Sequence, residues 1–381
     1  MLNDISLNDI IKSCYQCGKC TGFCPLSTVF EFSPRLIAKE FMGDSKTNTK
    51  IWDCFNCDAC SNHCPMKINF SEFILNCRIK EFDEQKLRNI EVHSNYFSTL
   101  SKIMASDGIQ PKRLINLPKD LQYCSEGEIL FFRGCNSFFN LESHISRLGK
   151  DYEKIDVSVL KLLNIMDIKP VVLENECCCG HDSLWRGDFT TFKRLARKNI
   201  MNIRDSGAKI VIAYCAECYR TLKLDYERFF GPLDFQVINF LEFLEAKIKE
   251  NPIMFRNFNP YTVTYHDPCR LGRHMNIYES PRNVLKSIDG LKLKEMENSR
   301  SEAICCGSNS WLNCNKHVKV IRKKRFEEAE ATGAEILITS CPKCNIHFNC
   351  LKNEYDEEDK CKSKIMIKDL AVFFAESLNL I

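Results

Sequence analysis

The chain has 381 residues, of which 44% are hydrophobic and 27% charged, a composition typical of a globular protein with an ample core. Its formal net charge of +3 is too small to favour nucleic acid or an anionic membrane surface as a partner. No apolar run approaches the roughly 18 residues of a membrane-spanning helix, and the amino terminus lacks the basic and apolar regions of a signal peptide. We therefore expect a cytoplasmic protein.

Cysteine is the most informative residue type, because 18 of the 24 cysteines fall into ordered blocks. The first two blocks repeat one motif, Cys-x-x-Cys-x-x-Cys-x-x-x-Cys-Pro, which is the bacterial spacing for 4Fe–4S cubane clusters. Its cysteines are Cys14, Cys17, Cys20 and Cys24, then Cys54, Cys57, Cys60 and Cys64. A disulfide scaffold is usually small and secreted, and zinc takes two Cys-x-x-Cys pairs instead. The blocks therefore predict two cubane [4Fe-4S] clusters.

In two-cluster ferredoxins the fourth cysteine of each motif crosses to the other cluster. By that rule one cubane is held by Cys14, Cys17, Cys20 and Cys64, and the other by Cys54, Cys57, Cys60 and Cys24. Between the motifs, residues 33–42 read as a helix with Ser33 as its N-cap and Pro34 in its first turn. Helical spacing across 71–105 extends this region, so we expect a mainly α, ferredoxin-like domain over residues 1–105.

The rest of the chain is an internal duplication. Apolar segments at 128–134 and 261–268 both read as strands that end at a cysteine, and so do 209–214 and 335–340. A helical pattern precedes the second strand of each copy, at about 189–206 and 315–332. The sequence predicts two α/β halves, 125–245 and 255–381, related by pseudo-twofold symmetry.

Each half gathers five cysteines where strands end, which is where ligands collect in open α/β sheets. The sets are Cys135, Cys178, Cys179, Cys215 and Cys218 in the first half, and Cys269, Cys305, Cys306, Cys341 and Cys344 in the second. Thioredoxin-type thiol pairs and zinc sites need neither adjacent cysteines nor a third, distant one. A metal-cluster site is therefore favoured in each half.

These motifs carry a family resemblance. Residues 125–350 resemble the duplicated cysteine-rich "CCG" domain, and the whole chain resembles the catalytic subunit of heterodisulfide reductase in its fused form. The resemblance implies a noncubane [4Fe-4S] cluster on each five-cysteine set. It also implies that the two clusters split the disulfide of coenzyme M and coenzyme B, a reaction of methanogenesis. Cys177 leaves two choices of adjacent ligands, and we favour Cys178 and Cys179 because Gly180 follows them as Gly307 follows Cys306.

The predicted activity is an iron–sulfur oxidoreductase in which electrons enter through the cubanes and reduce a small disulfide to two thiols. The alternatives are an electron-transfer subunit of a flavin-dependent 2-hydroxy-acid or glycerol-phosphate dehydrogenase, and a pure electron-transfer adaptor. No Gly-x-Gly-x-x-Gly or Walker motif occurs, so flavin or nucleotide chemistry must come from a partner. We expect that partner to be a flavoprotein, a hydrogenase or formate dehydrogenase module, or a membrane cytochrome. Such a partner could hold the chain at the membrane surface.

Polar side chains flank the motif cysteines of the two halves: Arg133, His181, Asp182, Arg186, His266, Asp267, Arg270, Arg273 and His274. Some could grip an anionic substrate, or they could bind cluster sulfurs and cap helices. The cysteines outside the motifs are expected to be small buried residues: Cys77, Cys124, Cys177, Cys314, Cys350 and Cys361.

Overall fold

The computed structural model describes residues 7–42, 49–88, 91–109, 112–115, 117–148, 152–256, 258–357 and 363–381. The chain begins with a helical region and continues with two α/β regions, each built on a parallel sheet. Among these residues, no helix has both the length and the apolar content needed to cross a bilayer.

The amino-terminal region contains short helices separated by the cysteine motifs. They are α1 (Leu7–Ile11), α2 (Lys19–Gly22), α3 (Pro34–Met42), α4 (Ala59–Asn62), α5 (Phe70–Lys80), α6 (Glu84–Arg88) and α7 (Tyr96–Ala105). The predicted start of α3 is confirmed, since the backbone N–H of Leu36 donates to the Ser33 hydroxyl at 3.3 Å. Helices α5 to α7 confirm the helical pattern of residues 71–105, and α7 packs on the first α/β region.

The first α/β region alternates strands with helices. Its elements are β1 (Ile129–Phe132), α8 (Asn136–Phe139), α9 (Ser143–Ser146), α10 (Glu153–Ile165), α11 (His181–Trp185), α12 (Phe189–Asp205), β2 (Ile210–Ala213), α13 (Ala216–Arg220), a π-helical turn (Thr221–Asp225), α14 (Tyr226–Phe230), β3 (Gln236–Asn239) and α15 (Phe240–Glu250). The strands predicted before Cys135 and Cys215 and the helix predicted at 189–206 are confirmed as β1, β2 and α12.

The second α/β region repeats this alternation. Its elements are β4 (Thr262–His266), α16 (Glu279–Lys286), β5 (Lys292–Leu293), α17 (Lys316–Ala331), β6 (Ile336–Thr339), α18 (Pro342–Glu357), β7 (Met366–Asp369) and α19 (Leu370–Ser377). Strands β4 and β6 and helix α17 confirm the corresponding predictions. Strands β3, β5 and β7 were not predicted, because no cysteine directly follows them.

Within the described residues the strands form sheets of order β1-β2-β3 and β5-β4-β6-β7, with all neighbours parallel. The register aligns the carboxyl ends, so that Phe132 lies beside Ala213 and His266 beside Thr339. Both cysteine-bearing strands of each sheet therefore end at the same edge. Strand β6 is buried along its whole length, and each buried leucine or isoleucine contributes about 1.5–3 kcal/mol.

The regions share their cores. Helices α10 and α19 pack together across the two α/β regions, and one apolar cluster contains residues of both sheets. A second cluster joins the amino-terminal region to the second α/β region through Phe73, Ile74, Val318 and Ile321. The cysteine sites are thus held inside a continuous body of packed side chains.

A tight contact fixes the amino-terminal region on the first α/β region. Gly187 has φ +94°, and a Cβ at this position would lie 2.3 Å from the Arg78 carbonyl oxygen. The Arg78 guanidinium donates to the Trp185 carbonyl at 2.8 Å in the same place. Only glycine combines this backbone conformation with so close an approach.

We predict that Gly187→Ala lowers the free energy of unfolding by about 2–4 kcal/mol, because left-handed strain and overpacking add together. The matched control is Gly207→Ala, at φ +78° with nothing within 4 Å of the new Cβ. This control should lower the free energy of unfolding only by the cost of the left-handed backbone conformation, about 1 kcal/mol. Urea unfolding followed by circular dichroism under anaerobic conditions measures the loss of unfolding free energy in each variant. Equal losses would contradict the tight contact between Gly187 and Arg78.

Candidate metal centres

The two cubane motifs line neighbouring cavities. Cys14, Cys17, Cys20 and Cys64, here called the outer set, line the first. Cys24, Cys54, Cys57 and Cys60, the inner set, line the second, and Cys60 also contributes to the wall of the first. The fourth cysteine of each motif thus lies with the first three of the other, in the crossed arrangement of two-cluster ferredoxins.

The same local backbone shapes both motifs. Gln16 and Gly18 have positive φ in the first motif, and Asn56 and Asp58 have positive φ at the matching positions of the second. These left-handed residues turn the chain around the cavity. The backbone N–H of Asn56 reaches Cys54 Sγ at 3.4 Å as a result.

The two sets differ in exposure. Cys17 and its neighbour Tyr15 are exposed at the surface, whereas Cys24 and Cys54 of the inner set are each 8% exposed. Burial raises the pKa of the Cys24 thiol to about 12 and that of Cys54 to about 11. Such thiols stay protonated at neutral pH unless a bound cation replaces the proton. Four thiols around one cavity are a donor set that fits an iron–sulfur cluster.

Buried cationic and polar side chains bind the carbonyls of the inner-set loop. Arg78 donates to the carbonyls of residues 51, 52 and 54 at 2.7–3.3 Å. Arg273 donates to the carbonyl of residue 57 at 2.6 Å, and Arg270 and His274 reach that of residue 56 at 2.9 and 2.8 Å. Arg270, Arg273 and His274 thus hold the loop against the second α/β region, a role that differs from both the substrate contacts and the sulfur contacts that the sequence left open.

The five cysteines of the first half come together. Their side chains interact in series, Cys135 with Cys178, Cys178 with Cys179, Cys179 with Cys218 and Cys218 with Cys215. Cys177 points elsewhere, with its Sγ 3.6 Å from the Met104 carbonyl oxygen. This geometry supports Cys178 and Cys179 over Cys177 and Cys178 as the adjacent pair of the set.

The five cysteines of the second half form a matching group. Side-chain contacts join Cys269 to Cys305, Cys305 to Cys306, Cys306 to Cys344 and Cys344 to Cys341. Cys306 Sγ and Cys344 Sγ are 3.1 Å apart. A further contact connects Cys305 to Cys57 of the inner set. The inner set therefore adjoins the second five-cysteine set directly.

His266 faces this second set with a defined tautomer. Arg325 Nε donates to His266 Nδ1 at 3.0 Å, so the ring hydrogen lies on Nε2. The ligand atoms of His266, Cys306 and Cys344 lie within 4.8 Å of one another, and burial lowers the pKa of His266 below its usual value. The Nε2 hydrogen of the neutral ring has no hydrogen-bond partner among the described residues, and the ring lies beside the sulfurs of the second set.

A buried ion cluster lies between the two five-cysteine sets. Lys343 Nζ contacts Asp182, and it lies 2.7 Å from Glu217 Oε2. Glu217 precedes Cys218 and Lys343 precedes Cys344, so they occupy the same place in the two Cys-x-x-Cys pairs with opposite charge. Asp182 was predicted as a flanking residue, whereas the pairing of Glu217 with Lys343 was not, although the charge reversal at matching positions was a visible signal.

The remaining flanking residues stabilise the fold. Arg133 pairs with Asp156 at 3.1 Å, Asp267 pairs with Arg282 at 2.7 Å, and Arg186 pairs with Glu91. Among the cysteines outside the motifs, burial is confirmed for Cys77, Cys177 and Cys350. The prediction of burial is wrong for Cys124 and Cys314, which are half-buried. Cys361 lies outside the described residues.

Comparison with known proteins agrees with this arrangement. Residues 129–223 and 263–349 each match the CCG cysteine-rich domain, and residues 7–68 match the 4Fe-4S dicluster domain. The chain thus contains two copies of the CCG cysteine-rich domain and one 4Fe-4S dicluster domain. Each α/β region is therefore a CCG repeat, and the helical region carries the 4Fe-4S domain.

Its relatives include one of the subunits of dihydromethanophenazine:CoB--CoM heterodisulfide reductase. The proteins of Methanosarcina acetivorans and Methanosarcina barkeri are both 32% identical over 278 residues, covering 71% of this chain and 64% of each relative. The chain thus spans less than two thirds of the length of these relatives. An uncharacterized iron-sulfur protein of Methanococcus maripaludis is 27% identical over 94% of this chain and 72% of its own length.

Substitutions in the first CCG repeat can test which two adjacent cysteines bind the metal cluster. We expect Cys178→Ala to lose about four irons from a total of about 16 per chain, because one four-iron site loses a ligand. The neighbouring Cys177→Ala should keep the full iron content, since its thiol points away from the set. Iron and acid-labile sulfide analysis after anaerobic reconstitution measures both. Loss of iron in the Cys177 variant instead would move the ligand pair by one residue.

A second expectation concerns the crossed cubane ligands. A crystal structure of the anaerobically reconstituted protein should find Cys64 on the same cluster as Cys14, and Cys24 on the same cluster as Cys54. The reason is that each pair already lines one cavity. Finding Cys24 and Cys14 on one cluster would refute the crossed assignment.

Proposed function

We propose that this chain is an iron–sulfur oxidoreductase that reduces a disulfide to two thiols, with the mixed disulfide of coenzyme M and coenzyme B as its substrate. The observation that carries the proposal is the pair of complete five-cysteine sets, one in each CCG repeat, whose Cys-x-x-Cys pairs are linked by Glu217 and Lys343. A chain that only relayed electrons has little need for two such sets. The names of the heterodisulfide reductase relatives support the same activity.

The proposal assigns four clusters to the cysteines. The outer and inner sets would each hold a cubane [4Fe-4S] cluster, and the five-cysteine sets would each hold a noncubane one. When bound, the clusters would supply the two electrons that the cleavage requires. The reaction consumes two electrons and two protons, breaks the S–S bond and leaves one hydrogen on each sulfur. The domain bounds 1–105, 125–245 and 255–381 and the pseudo-twofold relation of the repeats belong to the same proposal.

The order of the cysteine sets would let electrons enter the chain at the exposed outer set. The outer set is exposed at Cys17, the inner set is buried behind it, and Cys57 of the inner set touches Cys305. A redox partner would therefore meet the chain at the outer set. The heterodisulfide reductase relatives are named as subunits, which supports such a partner.

Two groups of residues have positioning roles in this scheme. The cluster of Lys343, Asp182 and Glu217 holds the two Cys-x-x-Cys pairs at a fixed separation, because each pair carries one end of the salt bridge. Its burial also excludes bulk water from the space between the sets. His266 lies beside the sulfurs of Cys306 and Cys344 and so helps to position ligands of the second set.

The deciding experiment is an anaerobic assay of the purified protein with reduced viologen and the mixed disulfide. Cys306→Ser should abolish thiol formation, with a loss of at least about a hundredfold, because it removes a ligand from one of the two sets. The control Cys124→Ala changes a half-buried cysteine outside every set and should keep full activity.

The outcome separates the reductase from an electron-transfer adaptor. An adaptor would take electrons from the dye through its cubanes, seen as bleaching of the visible spectrum, yet form no thiols with any disulfide. Near-normal turnover in Cys306→Ser would instead remove the second five-cysteine set from the reaction.

A further inference from the structure

The outer set and the inner set have matching motifs but different surroundings. Cys17 occupies in the first motif the place that Cys57 occupies in the second. The side chain of Cys57 meets Cys305 of the next cysteine set, whereas Cys17 is exposed. The thiol that leads inward to the next redox site therefore has an uncovered counterpart at the surface.

The apolar neighbours of these cysteines show the same contrast. Phe55 and Leu26 beside the inner set are 4% and 2% exposed, because they lie in one apolar cluster with residues of α17. Their counterparts Tyr15 and Met66 are 59% and 45% exposed, and both border the cavity of the outer set. Aromatic and methionine side chains are enriched in protein interfaces. The outer set thus presents to solvent the kind of surface that the inner set buries against the second CCG repeat.

At two matching places the outer set has a lysine and the inner set has none. Lys19 stands where the second motif has Ala59, and Lys67 stands where the first motif has Ser27. Ala59 is buried and Ser27 is half-buried, whereas both lysines are exposed. Neither ammonium group has an ion-pair or hydrogen-bond partner among the residues that the structure describes. The duplicated motif therefore carries these charges only where it faces outward.

Helix α3 adds two cations to the same surface. Arg35 lines the cavity of the outer set, and Lys39 lies one turn further along that face of the helix. The segments around the outer set, 14–20, 34–39 and 64–68, contain four basic residues and no aspartate or glutamate. A surface of this composition attracts an acidic partner and repels a second copy of itself.

We propose that an acidic one-electron carrier protein docks on this surface and delivers its electrons to the outer set at Cys17. The docking face consists of Tyr15, Cys17, Lys19, Arg35, Lys39, Met66 and Lys67. Its exposed aromatic and thioether side chains form the apolar centre, and its cations form the rim that pairs with carboxylates of the carrier.

The docking face repeats outward what the inner set does inward. The second CCG repeat covers Cys57, and the carrier covers Cys17 in the same way. Each encounter moves one electron from the carrier to the outer set, and two encounters supply the pair that one disulfide cleavage consumes. The inference rests on the entry of electrons at the outer set in the proposed function, and it adds the chemistry of the partner.

The first test measures binding without turnover. The oxidised, cluster-replete protein is titrated calorimetrically under anaerobic conditions with an oxidised plant-type [2Fe-2S] ferredoxin of net negative charge, and with a cytochrome c of net positive charge. The ferredoxin should bind and the cytochrome should not. Raising the ionic strength from about 0.02 M to about 0.3 M should weaken ferredoxin binding about tenfold, because salt screens charge pairs at the rim.

A graded series at one lysine identifies the charge. Lys67→Gln should weaken ferredoxin binding about threefold and Lys67→Glu about tenfold, while Lys67→Arg should bind normally. Lys19→Glu should act like Lys67→Glu. The matched control is Lys286→Glu, which reverses an exposed lysine of α16 and should have no effect. The visible absorption of each variant reports whether its clusters are intact, so a folding defect is distinguished from a lost contact.

Two results would overturn the docking face. One is equal binding of ferredoxin by Lys67→Glu, Lys19→Glu and Lys286→Glu. The other is binding of the protein to vesicles of phosphatidylserine and phosphatidylcholine with no binding of ferredoxin, which would assign the basic surface to a membrane instead.

A kinetic arm separates this inference from the proposed function. Stopped-flow mixing with reduced ferredoxin should bleach the clusters of the protein, about tenfold more slowly in Lys67→Glu than in Lys286→Glu at low ionic strength. If the carrier reduces the clusters with this charge dependence but no disulfide is cleaved, the docking face stands and the reductase function fails. If reduced viologen drives disulfide cleavage while ferredoxin neither binds nor reduces the protein, the function stands and the docking face fails.

Discussion

The inner-set loop, residues 51–57, imposes the constraint on which the rest of the molecule depends. A loop that surrounds four cysteine side chains cannot form the regular backbone hydrogen bonds of a helix or a sheet. Its carbonyl oxygens therefore point outward without backbone partners. Because the loop is buried, those oxygens must be paired inside the protein. Arg78, Arg270, Arg273 and His274 supply the hydrogen bonds. Burial lowers the pKa of Arg78 to about 10, and the guanidinium still remains charged at neutral pH.

These bonds decide how the regions fit together. Arg78 belongs to α5, whereas Arg270 and Arg273 follow β4, so one loop is held from both sides. Its Cys57 is thereby brought against Cys305, and the inner set adjoins the second CCG repeat rather than the first. The result is a series of cysteine sets that starts at an exposed surface and ends in the interior. The arginines thereby set the distance between the inner set and the second five-cysteine set.

Individual helices and strands could be predicted from the sequence because capping residues and hydrophobic runs lie within the elements they mark or next to them. Ser33 before Pro34 marked the start of α3, and β-branched runs before Cys215 and Cys341 marked buried strands. The duplication doubled each signal and so fixed the grouping of cysteines by spacing alone. Strands β3 and β7 were missed because no cysteine follows either of these short elements, and their pairing partners lie elsewhere in the chain.

The sequence by itself determined the type of chemistry, since thiols at these spacings fit iron–sulfur clusters and little else. It also determined the α/β character of the repeats through hydrophobic periodicity. Only the tertiary structure decided what the charged residues do. Arg270 and Arg273 bind carbonyls more than 200 positions away, and Lys343 meets Glu217 across the two repeats. Such pairings depend on how packed elements meet in space, and no pattern of neighbouring residues encodes that meeting.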